Sequence, residues 1–175
     1  MMYLFESIEK NSVILMWPLT IMGQSNRLDD PDYNYHITWK FFGETDEDLS
    51  RLIDMVEAMD IPELPETLYV KPVVLTPRPD KKVPVLYVHA MPKKLFDLKL
   101  KLDEVWPDKF PIYIPHITVD SKIFFGLSDG SISEKDLDIK TSNLCLYKGG
   151  DKIKEFPPMR SVVPSSVDEF GIPSA

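Results

Sequence analysis

The sequence predicts an α+β domain with mainly antiparallel strands. Short runs of β-branched and aromatic residues alternate with two segments whose apolar residues recur three and four apart, the periods of strand and helix. Two of the strand pairs are joined by turn-forming residues, as antiparallel hairpins are. The 175 residues, 43% of them apolar, suffice for one packed domain or two small lobes sharing a core.

Val13–Thr20 is a short apolar run and reads as a buried strand. Gly23–Asp32 is polar and turn-rich and reads as a loop, and Tyr35–Phe42 is a strand that stops at Gly43. Thr45-Asp46-Glu47-Asp48 has the form of a capping box, with Leu49, Leu52, Ile53 and Val56 behind it at helical spacing. Leu68–Leu75 and Val83–Ala90 read as strands joined by the turn Pro77–Lys82. Pro92 suits the first turn of a second helix, whose stripe is Leu95, Leu98, Leu102 and Val105. Tyr113–Asp120 follows as a strand, then Ser128–Lys135 as polar loop or a single helical turn. Asn143–Lys148 and Lys152–Phe156 form a hairpin around Gly149-Gly150. The expected division is a domain over residues 1–157 and a loose Pro/Ser-rich tail, or lid, over 158–175.

Composition excludes several classes. A lone cysteine, Cys145, leaves no internal disulfide framework and no cysteine-based zinc site. The first residues lack a basic start and an uninterrupted apolar core, so no signal peptide is expected, and no run reaches the roughly 20 apolar residues of a membrane helix. A reducing cytoplasm is the expected compartment, with no membrane partner. The net charge of −8 disfavours long nucleic acid, whose phosphates need clustered Lys and Arg. A small anionic substrate stays compatible if cations gather locally, with Arg78, Lys81, Lys82, Lys93 and Lys94 as candidates.

The most informative feature is an internal echo. His36-Ile37-Thr38-Trp39-Lys40-Phe41-Phe42-Gly43 is matched by His116-Ile117-Thr118-Val119, with Lys122-Ile123-Phe124-Phe125-Gly126 soon after. Such long-period similarity points to two related halves. Alternate strand residues share a face, so each motif offers an imidazole and a hydroxyl on one side and apolar groups on the other. Two imidazoles can serve as base and acid at neutral pH. Two hydroxyls can donate to the non-bridging oxygens of a phosphodiester in its transition state. His36, Thr38, His116 and Thr118 are therefore the candidate catalytic residues, and the chemistry needs no metal or other cofactor.

These motifs resemble those of the two-histidine (2H) phosphoesterase superfamily, marked by two His-x-Thr or His-x-Ser strands. Tyr35–Gly43 is similar to the first motif of the bacterial RNA 2′,3′-cyclic phosphodiesterases, also called 2′–5′ ligase-like proteins, and Pro115–Val119 to the second. The resemblance spans about Val13 to Phe156. It implies a two-lobed, pseudo-twofold fold around a central cleft and cleavage of a small nucleotide, a cyclic di- or trinucleotide foremost. The short acidic chain is similar to the branch of phage proteins that destroy the cyclic-nucleotide signals of bacterial defence. The alternatives are an RNA 2′,3′-cyclic or 2′–5′ phosphodiesterase, or a nucleotide-binding module without turnover. A histidine-based metal site is disfavoured because neither motif has a cysteine or clustered carboxylates nearby.

Further residues are candidates for substrate contact. Lys40 and Asp120 are expected on the face of their motif's histidine, Lys40 either near a phosphate or as a solvated lysine at the cleft rim, and Asp120 at the rim. Trp17 offers a ring for stacking a base, against the more common role of a core tryptophan. Tyr147 is a further candidate, and His89, with no hydroxyl two residues on, reads as structural.

Overall fold

The computed structural model describes residues 12–21, 35–45, 48–108, 112–158, 167–169 and 172–174. In chain order the elements are β1 (Ser12–Ile21), β2 (His36–Glu44), α1 (Ser50–Glu57), β3 (Tyr69–Arg78), β4 (Lys81–His89), α2 (Lys93–Val105), β5 (His116–Thr118) and α3 (Ser121–Asp129). A 3-10 turn (Glu134–Asp136) and strands β6 (Ile139–Thr141), β7 (Leu144–Lys148), β8 (Asp151–Phe156), β9 (Val167–Glu169) and β10 (Ile172–Ser174) follow.

Eight strands make one sheet in the order β3-β4-β5-β2-β1-β7-β8, with β6 pairing the end of β1. Every pairing is antiparallel, as expected for an α+β chain. The order is symmetric about the central β5–β2 pair: β4 flanks β5 as β1 flanks β2, and β3 and β7 lie outside them. Chain order follows the same exchange, since β2 leads through α1 to β3, and β5 leads through α3 to β7.

Alternation of side chains divides the sheet into two unlike faces. Val13, Leu15, Trp17, Ile37, Trp39, Leu86, Val88, Ile117, Val119, Leu144 and Leu146 are buried in one cluster with Leu52 and Val56 of α1, Leu95, Leu98 and Leu102 of α2, and Ile123 and Phe124 of α3. The three helices among the described residues thus cover the same face. Full burial of a Leu- or Ile-sized side chain is worth about 1.5–3 kcal/mol, so this layer holds the central strands in place. The indole Nε1–H of Trp39 also donates to the Leu95 carbonyl at 3.1 Å, tying β2 to α2.

Several elements differ from the sequence-based expectation. The strand foreseen over Tyr113–Asp120 is paired only at His116–Thr118. Pro115 has no N–H to give a ladder, and Asp120 already serves α3, its carbonyl accepting from the N–H groups of Ile123 and Phe124. Helix α3 was not foreseen. It takes in Lys122–Gly126, so the echo of the first motif ends in sequence only: Lys40–Gly43 is strand and Lys122–Gly126 is helix. Gly130 ends α3 at φ 85°, a left-handed position that suits glycine.

Helix α1 starts at Ser50 with Leu49 at the N-cap position and no side-chain cap bond from it; just ahead of it, Asp48 Oδ1 accepts from Ser50 N at 2.9 Å and Ser50 Oγ at 2.8 Å. These two bonds hold the Asp48 carboxyl below the usual range. In the tail, β9 and β10 pair with each other, where only loose chain was expected. The loop Gly23–Asp32 and the foreseen lid anchors Val162, Val163 and Phe170 lie outside the described residues.

Candidate active site

The two motifs meet at the centre of the sheet. Ile37 of β2 pairs with Ile117 of β5. By that register His36 lies opposite Thr118, and Thr38 opposite His116, on the face away from the helices. Both isoleucines are fully buried on the helix side, which locks the register: a slip of one residue would turn the shifted strand's imidazole into the core and its isoleucine out of it. Directly opposed residues have Cβ atoms about 5 Å apart, and diagonal ones lie roughly 7–8 Å apart. The two histidines form one diagonal of the square and the two threonines the other.

The corners differ in surroundings. His36 and Thr118 are each 9% exposed, whereas His116 and Thr38 are half-buried. His116 Nδ1 lies 2.7 Å from the Ile114 carbonyl. A carbonyl only accepts, so Nδ1 carries the hydrogen and Nε2 of the neutral ring keeps its lone pair. Burial pushes the His116 pKa below its ordinary value, and the bond to Ile114 only partly offsets that. Across the site, Tyr113 Oη donates to the Thr38 carbonyl at 2.7 Å, fastening the segment before β5 to β2.

Because β5 is so short, the far half of β2, from Trp39 to Glu44, has no strand partner on that side among the described residues. A cleft of about 850 Å³ has Thr38, His116, Phe41, Trp106, Tyr113 and Ile114 in its lining. Among the described residues, no three His, Cys, Asp or Glu side chains gather as a metal site would need, and no helix is long and apolar enough to cross a membrane.

The other expected site residues fall elsewhere. Lys40 does not share the face of His36. In the pairing with β1, Leu15 faces Lys40 and Met16 faces Thr38, so Trp39 is an extra residue on β2. This bulge turns both Trp39 and Lys40 toward α2. There Lys40 Nζ meets Asp103 at 2.6 Å and Asp108 at 3.7 Å, and Lys99 Nζ meets the same carboxylates at 3.1 and 2.9 Å. The two lysines and two aspartates form a mutually compensating, largely buried cluster. Trp17 is likewise on the helix side, 2% exposed and packed 5.6 Å from Trp39, so it is a core tryptophan.

Tyr147 does lie on the histidine face, paired through β1 with Ile14, but two strands from β2. Cys145 shares that face, and burial raises its thiol pKa above the ordinary value. The cations expected to focus charge are partly engaged: Lys93 pairs with Asp97, Lys94 with Asp60 and Arg78 with Asp80.

Two neighbours of the site escaped the sequence reading. Tyr87 of β4 pairs with His116 and shares its face. His89, read from sequence as structural, is exposed on the same face rather than packed in the core. The alternation Tyr87-Val88-His89 held the signal that these two side chains share a face, but which strand lay beside them was not legible. No family model matches the chain, and no curated protein matches it.

Proposed function

We propose that the chain is a metal-independent phosphodiesterase that cleaves small nucleotides, cyclic oligonucleotides foremost, with two histidines as base and acid. The single observation that carries this reading is the register of β2 on β5, which gives two imidazoles and two hydroxyls one shared face. A square of that size admits one phosphate between the imidazoles. The symmetric strand order supports the two-lobed, pseudo-twofold organisation that the paired motifs imply.

His116 is the base. Its Nδ1–H is committed to the Ile114 carbonyl, which leaves the Nε2 lone pair to take a proton. It takes the proton of the attacking oxygen. His36, protonated, gives a proton to the leaving oxygen, so that one turnover exchanges the protonation states of the pair. The hydroxyls of Thr38 and Thr118 donate to the non-bridging oxygens as charge builds there.

The test is a panel of cyclic dinucleotides, cyclic trinucleotides, 2′–5′ oligoadenylate and 2′,3′-cyclic mononucleotides, incubated with excess chelator and read by mass spectrometry. Cleavage of at least one substrate, abolished in His36→Ala and His116→Ala, is the expected result. No product across the panel would refute the reading.

A further inference from the structure

The histidine face continues past His116 into a row of rings that the phosphate chemistry leaves unused. Tyr87 stands opposite His116, Lys71 opposite Tyr87, and Tyr69 opposite His89, all on the same face of β3 and β4. The His89 ring lies nearly parallel to that of Tyr87, with centroids 6.1 Å apart and 17° between planes, and 5.9 Å from that of Tyr69 at 34°. Tyr69 is 51% exposed, and His89 and Lys71 are exposed as well. Three adjoining rings, two of them open to solvent, make an aromatic patch that the core does not use.

We propose that Tyr69, Tyr87 and His89 form the stacking surface for the substrate's nucleobase, with Lys71 supplying a cation at its edge for a further phosphate. This rests on the phosphodiesterase reading and names the part of the substrate that lies beyond the cleaved phosphate. The distance suits the task. One strand spacing of about 4.8 Å separates His116 from Tyr87, and two residue rises of about 3.3 Å separate Tyr87 from His89. A phosphate held by the four motif residues thus has its sugar over Tyr87 and its base within reach of His89 and Tyr69. Every base has a π-face, so stacking of this kind tolerates different bases. It adds affinity without concentrated positive charge, which fits a chain of net charge −8.

Binding can be measured without turnover by calorimetric titration of the full chain with adenosine 5′-monophosphate. Ribose 5-phosphate serves as a probe that has the phosphate and sugar but no base. Tyr69→Ala combined with His89→Ala should weaken adenosine 5′-monophosphate roughly tenfold or more and leave ribose 5-phosphate unchanged. Tyr69→Phe combined with His89→Phe, which keeps the rings, should bind the nucleotide as the unaltered chain does. Absence of nucleotide binding, or an alanine pair that binds it within twofold of normal, would overturn the proposal. So would equal weakening of both probes, which would mean a general structural effect. The outcome is separable from that of the cleavage panel. Cleavage with no effect of the alanine pair would remove the stacking surface and leave the phosphodiesterase. Base-dependent binding with no cleavage of any substrate would uphold the surface and remove the catalysis.

Discussion

The same tripeptide, His-Ile-Thr, occurs in two strands that treat it differently. In β2 it begins a nine-residue strand with β1 as a long partner, and a bulge immediately after it sends Trp39 and Lys40 toward the helices. In β5 it is the whole strand, bounded by Pro115 and by the start of α3. The long strand holds a more buried histidine and a more open threonine, and the short strand the reverse. In the short strand the Ile114 carbonyl, two residues back, accepts from the His116 imidazole. Two equal motifs thus become unequally solvated groups, because strand length and neighbours decide burial while sequence decides only which atoms are present.

Removing either imidazole takes away one half of the acid–base pair. His36→Ala and His116→Ala should each lower turnover by about a hundredfold or more, the usual scale for an acid–base group. The double variant should be little worse than either single one, since the pair acts as a unit. Near-normal turnover in one single variant would mean that the motifs are not partners.

Next in size, Thr38→Val and Thr118→Val should each cost roughly a hundredfold in kcat with little change in KM, as expected of donors that act mainly on the transition state. A rise in KM alone would assign the hydroxyls to ground-state binding.

Lys40 tests the bulge. Lys40→Met removes one cation from a buried group of two lysines and two aspartates, which should lower unfolding stability by about 3 kcal/mol in urea titration. The folded protein should keep its KM, because the side chain points at α2. A raised KM with unchanged stability would return Lys40 to the substrate.

The asymmetry of the histidines also predicts a pH dependence. The His116 pKa is depressed in the fold, so between that value and about 6.5 the unfolded chain binds a proton that the folded chain refuses. The stabilisation from this group is therefore present above about pH 6.5 and is lost as pH falls through that window. Urea midpoints at pH 7.5 and 5.5 should differ more in the unaltered chain than in His116→Gln. The acid limb of kcat/KM should lie below the usual histidine range for the same reason, and an acid limb above pH 7 would assign the base elsewhere.

The smallest effect is expected at Tyr147, two strands from the site. Tyr147→Phe should change both stability and kcat/KM by less than about 0.5 kcal/mol.

The local sequence determined a good deal of this protein. Period-two alternation around Ile37 and Ile117 assigned the imidazoles and hydroxyls to one side of their strands, and apolar spacing located α1 and α2, because both patterns depend only on backbone geometry. Ser121–Asp129 was missed because its helical stripe is short and overlaps a run that looks like the strand after the first motif. Tertiary structure alone decided the rest. The register of β2 on β5 came from burying two isoleucines under the helices. The reversal of Lys40 came from a one-residue mismatch between β1 and β2. Trp17 went to the core because β1 lies beneath the helices, and Tyr87 came beside His116 because β4 is the outer neighbour of β5. Each of these depends on which strand lies next to which, and pairing between distant segments is set by the packing of the whole sheet rather than by any one stretch of chain.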